Sequence, residues 1–151
     1  MTDLDHPVDP TTHWQADHVR RYLATGGQDG HEWRPGVYTL LLTTRGHRSG
    51  TARRSALIYR RDGDRYAVVG SKGGSDADPG WVRNIVADPH VRVRVLGDEF
   101  DATARVADPD EKARLWPEMV KIWPAYDEYQ AKTGREIPIV LLEPVRSVEP
   151  D

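Results

Sequence analysis

The chain has 151 residues, 38% of them apolar and 30% charged, which fits one soluble globular domain with a modest core. Its net charge of −3 and pI near 6.1 argue against a nucleic-acid binder, whose overall field is basic. The absence of cysteine excludes disulfides, thiolate metal sites and cysteine nucleophiles.

Residues 1–11 are polar and expected to be disordered, with 12–151 forming a single domain. They carry aspartates and no apolar h-region, so they do not read as a secretory signal, and no run reaches the roughly 18 apolar residues of a membrane span. A cytoplasmic protein is expected. Trp14, His18 and Tyr22-Leu23, closed by Gly26-Gly27, predict a helix over 12–25 whose His13, His18, Arg20 and Arg21 add positive surface charge. Residues 28–36 read as a loop holding Trp33 and Pro35.

The continuous apolar run of 37–44 predicts a strand buried on both faces, and 55–61 and 65–70, joined by Asp62-Gly63-Asp64, predict two more in an antiparallel meander. A helix over 79–87 is predicted, with Asp78 as its cap and Trp81, Ile85 and Val86 facing inward. Val91, Val93 and Val95 alternate with His90, Arg92 and Arg94 as a half-buried strand, and 100–106 returns as another. Asp108-Pro109-Asp110-Glu111 opens a helix to about Val120, and 123–132 forms a shorter one. Residues 137–142 make a last strand in which Pro138 favours an edge or a strand start. Six strands with inserted helices define an α+β domain whose sheet can close into a barrel.

Chemistry concentrates between the first two strands. No acidic residue falls between Glu32 and Asp62, although Arg45, Arg48, Arg53, Arg54, Arg60 and Arg61 all do. Clustered guanidinium groups repel one another and present planar forks of donors, so an anionic ligand is the economical reading, against a solvated basic hairpin. Gly70-Ser71-Lys72-Gly73-Gly74 offers bare backbone and one cation. Its N–H groups can form an anion nest, although the spacing matches neither phosphate-binding glycine motif and a plain turn is the alternative. Arg53 and Ser71 each lie about eight or nine residues from the Asp62-Gly63 turn, which permits one composite anion site.

The six histidines show no ligand spacing, so no metal is expected, and no serine sits in a nucleophile elbow. Trp123, Tyr126 and Tyr129 recur every three residues. They read either as core packing or as the wall of a pocket for a flat molecule, with hydroxyls placed to donate.

Taken together, L-T-T-x-G-x-x-S-G-x-x-R (42–53), D-G-D-R-Y (62–66), S-K-G-G (71–74), D-P-x-W-x-x-N (78–84), A-D-P-x-V-x-V (87–93), Y-x-x-Y-Q (126–130) and R-E-I-P-I-V-L-L-E-P (135–144) resemble the deazaflavin-dependent nitroreductase family of actinobacteria. The resemblance spans about 33–144. It implies an antiparallel split β-barrel with helices packed around it, coenzyme F420 as cofactor, and hydride transfer to quinones, nitroaromatics or activated enones. Carried onto this chain, it makes Arg48, Ser49, Arg53, Ser71, Lys72 and Gly73 the phosphate side, with Arg54 and Ala56 in the same cofactor-binding set. Leu57, Ile58 and Val69 become ring contacts and Trp81 and Asn84 neighbours of the cofactor. Tyr126 and Tyr129, with Ser71, become the catalytic side toward a planar acceptor. Ala56 stands where the family usually has proline, and Val82-Arg83 where it has Tyr-His. An FMN-using barrel, or a non-catalytic F420 carrier, would share these features. A monomer or homodimer is expected, peripheral to the membrane if the acceptor is a quinone, with no nucleic acid bound.

Overall fold

Side-chain alternation decides the architecture: in the run Leu40-Leu41-Leu42 the outer two residues enter one buried cluster and the middle one another, so both faces of this strand are covered. The computed structural model describes Leu4, Pro7 and residues 13–74 and 77–145. Most of the stretch expected to be disordered therefore lies outside the described residues, as does the Trp14 side chain, while Leu4 is 2% exposed.

The strands are β1 (Glu32–Arg34), β2 (Val37–Arg45), β3 (Ala52–Asp62), β4 (Arg65–Val69), β5 (His90–Val95), β6 (Asp98–Val106) and β7 (Ile139–Pro144). All pairings are antiparallel in the order β1-β2-β3-β4-β7-β6-β5, and β5 returns to β2 through Leu41↔Arg94, Leu42↔Val93 and Thr43↔Arg92. Six strands thus close a barrel, and β1 is an added edge ribbon in the stretch read as loop. Three residues ended by a Pro35-Gly36 turn are too short for a period-2 signal, which is why the seventh strand was not expected.

Leu40, Leu42, Val68, Val91, Val93, Val140 and Leu142 fill the barrel. Helix α1 (His13–Ala24) covers Leu41 and Ala56 from outside through Val19 and Tyr22. Gly26 at φ 61 and a bond from Gly27 N to Tyr22 O end it in a Schellman turn. The Tyr22 hydroxyl donates to Thr39 O at 3.2 Å and accepts from Leu96 N at 2.7 Å, which fixes α1 across the barrel. Helix α3 (Pro109–Ile122) opens where expected, with a capping box between Asp108 and Glu111. It packs with α4 (Ala125–Lys132) on the outer side of β4 and β7 over Ala67, Val69, Ile139 and Leu141.

Helix α2 (Gly80–Ala87) inserts Trp81, Val82 and Ile85 into the barrel core. Its start and its solvent face correct the reading above. Pro79 is the N-cap and no side chain caps it; the Asp78 carboxylate instead accepts from Arg135 at 2.7 Å. Val86 is 71% exposed, because Ile85 already fills the inward position and the next residue turns away by about 100°. Pro138 directly precedes β7, which runs between β4 and β6, so the strand-start reading is the one observed.

Candidate active site

The barrel is split where β3 outruns β4. Their register ends at Tyr59↔Val68, leaving residues 52–58 of β3 without a β4 partner, while Gly70 N turns to Pro138 O at 2.9 Å. Helix α1 covers part of this edge: Gln15 Oε1 accepts from Ala56 N at 3.3 Å.

In the gap lies a cavity of about 210 Å³ lined by Gln15, His18, Trp33, Thr39, Ala56, Leu57, Ile58, Val69, Ser71, Trp123, Tyr126 and Tyr129. The structure therefore brings together eight of the sequence-derived candidates: Ala56, Leu57, Ile58, Val69, Ser71, Trp123, Tyr126 and Tyr129. Tyr126 is 4% exposed, and its ring meets those of Trp116 and Tyr129 at 6.2 Å each. Burial and then the neighbouring Tyr129 push its hydroxyl far up, so at neutral pH it is a protonated donor. Trp123 Nε1 approaches the Tyr129 hydroxyl at 3.4 Å and its ring lies 5.1 Å from that of Trp33.

The opposite wall was not foreseen. His18, read as surface charge, is 2% exposed: Nε2 lies 3.1 Å from Thr39 Oγ1, and that hydroxyl donates to Gly30 O at 2.7 Å. A hydroxyl that has spent its proton accepts, so Nε2 carries the imidazole proton. Burial, then Arg21, lowers the His18 pKa below its ordinary 6.5, giving an uncharged wall. Because folding favours the neutral ring, its stabilisation is complete above 6.5 and is lost as pH falls below it. His31, also lowered by burial, works in the same direction. Thermal unfolding is therefore expected to show a lower midpoint at about pH 5.5 than at about pH 7.5, with His18→Gln narrowing the difference. Glu111, held down to about 2 by the Arg105 guanidinium, contributes its own loss at more acidic pH.

None of the charged candidates is among the residues that line the cavity. The exposed loop carrying Arg48 and Ser49 is tied to α2 by Asn84, whose Oδ1 accepts from His47 N at 2.9 Å and lies 2.7 Å from His47 Nδ1. The Asn84 amide also donates to Thr44 Oγ1 at 2.9 Å. Two residues earlier on the same helix, Val82 packs on Gly70, where an added Cβ would lie 2.8 Å from its Cγ2. One helix thus braces both glycine-bearing loops. Arg48, Arg53 and Lys72 make no ion pair with any described carboxylate. Arg45, by contrast, pairs with Asp88, and the Ser49 hydroxyl accepts from Thr51 N. Gly73 lies in the short 3₁₀ turn Lys72–Gly74.

Arg53 and Arg54 diverge. Arg54 stands across from Thr43 on the outer face, lining a small cavity with Arg92 and Arg94, away from the split. Trp81 is part of the barrel core, and Asn84, 5% exposed, serves as a loop tie. The clamp on the other loop also escaped the sequence reading: Arg135 donates to Asp78 Oδ1 at 2.7 Å, Ser71 O at 2.8 Å and Gly70 O at 3.3 Å. Gln130 supports it by accepting from Ile137 N and donating to Arg135 O. A larger open cleft of about 930 Å³ at the β3–β4 and β5–β6 hairpins is lined by Asp62, Asp64, Asp98, Glu99 and Glu143 against only Arg61 and Arg65. That field repels anions, so the smaller cavity is the candidate. No group of side chains among the described residues could hold a metal ion, and no described helix is long and apolar enough to cross a membrane.

A closed six-stranded antiparallel barrel, open between β3 and β4 over an uncharged aromatic cavity, defines a protein of the split-barrel class with a site suited to a flat organic molecule. The chain belongs to the F420H(2)-dependent quinone reductase family, whose profile matches residues 14–144. It is 40% identical over 129 residues to an F420H(2)-dependent quinone reductase of Mycobacterium tuberculosis (strain ATCC 25618 / H37Rv), covering 83% of this chain and 86% of the relative. Among solved structures, an F420-H2 dependent reductase (FDR-A) is 38% identical, with a TM-score of 0.64 over 70% of this chain and 93% of that one. A second, described as a domain-swapped dimer, is 35% identical, with a TM-score of 0.67 over 89% and 100%. Coenzyme F420 is the cofactor this family implies, and the protein is an F420H2-dependent reductase.

Proposed function

We propose that the cavity receives a planar quinone, nitroaromatic or activated enone against the deazaflavin, and that the two braced loops hold the coenzyme's anionic end. The observation that carries this reading is the split itself. It opens a cavity lined by Ala56, Leu57, Ile58 and Val69, and the same strand and adjoining loops carry Arg48, Arg53 and Lys72, which no described carboxylate neutralises. These residues fit the group: a tricyclic ring needs apolar area, and its phosphate and carboxylates need unpaired cations and free backbone N–H groups.

When bound, the reduced deazaflavin supplies a hydride. The protein's own part is orientation, exclusion of water and proton supply. Trp33, Trp123 and Tyr129 form one wall and Gln15, His18 and Thr39 the other, so an acceptor is held flat. A quinone gains two electrons and one proton with the hydride and needs one more proton to become the quinol. The hydroxyls of Tyr126, Tyr129 and Ser71 are the groups proposed to donate it or to stabilise the oxyanion before water does. Arg135 keeps the Ser71 carbonyl turned into the protein, which favours an outward N–H.

The test is a spectroscopic assay of the purified protein with reduced F420 against one acceptor of each class, with a nicotinamide cofactor as the control. Turnover with F420 alone is expected; turnover with the nicotinamide, or with no acceptor, would overturn the reading. Arg53→Ala is expected to weaken F420 affinity about tenfold in a fluorescence titration, since one charge-assisted contact is lost from an otherwise intact site.

A further inference from the structure

Among the described residues, no lysine, arginine or carboxylate lines the cavity. A charge does stand at its edge. Arg34, the last residue of β1, is exposed, and its guanidinium carbon lies 4.6 Å from the ring centre of Trp33 and 5.9 Å from that of Trp123. Both rings wall the cavity. The carboxylate nearest in sequence, Glu32, accepts from Gly36 N at 3.2 Å, and Arg34 makes no ion pair with any described residue. Two indoles, rather than an acid, therefore fix this cation. A guanidinium stacked on aromatic faces satisfies none of its five N–H donors, which leave its edges in the plane and form the fork that recognises a carboxylate.

Resting on the reading of this cavity as the acceptor site, we infer that Arg34 is a specificity-determining residue that selects planar acceptors bearing an ionised oxygen substituent, a carboxylate above all. Neutral walls repel an ion, whereas a fork at the rim receives one while the apolar ring lies in the cavity that the two tryptophans line. The position is legible in no motif: it depends on β1, a strand of three residues, holding Trp33 against Trp123.

The experiment uses a naphthoquinone carrying a carboxylate on a short side chain and its methyl ester, which share a ring and differ in charge. Two readouts are taken for each: kcat/KM with reduced F420, and quenching of tryptophan fluorescence without cofactor. The unaltered protein is expected to prefer the acid about tenfold at low ionic strength, a preference that added salt erodes. Arg34→Gln should abolish the preference while leaving the ester unchanged, and Arg34→Glu should reverse it. Equal preference in the unaltered protein and Arg34→Gln, by either readout, would overturn the inference and leave the F420 reading standing. Failure of the unaltered protein to reduce either quinone would remove the reading beneath it, and equal quenching by acid and ester would then dispose of the Arg34 assignment as well.

Discussion

Gly74→Ala is expected to destabilise the protein by about 2–4 kcal/mol and to impair F420 binding and acceptor turnover together. Gly74 has φ 83, a conformation that disfavours any side chain, and a Cβ there would lie 2.9 Å from Tyr129 O and 3.0 Å from Tyr129 Cα. Both contacts are helix backbone, so no rotamer change can relieve them. The strain must push the Lys72–Gly74 turn away from α4, and the two carry opposite halves of the proposed site: Lys72 and Gly73 for the coenzyme, Tyr126 and Tyr129 for the acceptor. Denaturant unfolding gives the stability loss. Titration with F420 and steady-state kinetics on the folded fraction should then show Kd and KM rising in the same variant. A substitution that left stability and both constants unchanged would show that the close approach is not needed.

Arg135→Ala should cost about 2–3 kcal/mol and weaken F420 binding, although Arg135 does not line the cavity. Its guanidinium bonds one carboxylate and two carbonyls, and its side chain is 14% exposed, so removal takes the guanidinium donors from Asp78 and the Gly70 carbonyl, while Ser71 O keeps its bond from Gly74 N at 2.9 Å. Asp78 is 39% exposed and regains water, which keeps the figure below that of a fully buried pair. Arg135→Lys restores the charge without the fork and should recover stability only in part, because one ammonium cannot reach all three acceptors. If the effect were purely structural, F420 affinity measured below the unfolding transition would match that of the unaltered protein. The positioning role instead requires a higher Kd at temperatures where the variant is fully folded.

Much of the barrel was legible because its signals are local. Val91-Arg92-Val93-Arg94-Val95 alternates as observed, the Asp62-Gly63 turn fixes the β3–β4 register, and Asp108 with Glu111 announces a helix start. The split was not legible. It depends on Gly70 leaving β3 for Pro138 and packing on Val82, contacts between residues far apart in the chain. Burial of His18 was missed because a helix pattern gives the face and not the partner, and here the partner is Thr39 on β2. The divergence of Arg53 and Arg54 could have been read: Leu57 faces the barrel interior, so period 2 puts Arg53 on its side and Arg54 on the other. Of the candidates that converge on the cavity, Trp123, Tyr126 and Tyr129 were marked by their recurrence every three residues, while Ala56, Leu57, Ile58, Val69 and Ser71 came with the family resemblance. The cations stood out by charge and by the same resemblance, and clustered charge says nothing about which face each side chain takes.

The length by which β3 outruns β4 has a further consequence. A strand edge without a neighbour offers its backbone to whatever arrives, and here α1 stands in front of it with Gln15 bonded to Ala56 N. The first helix is therefore a guard as well as a wall. Shortening or loosening it would turn the cleft proposed for the coenzyme into a seam where a second copy of the chain could zip on, so loss of catalysis and loss of solubility would arrive together.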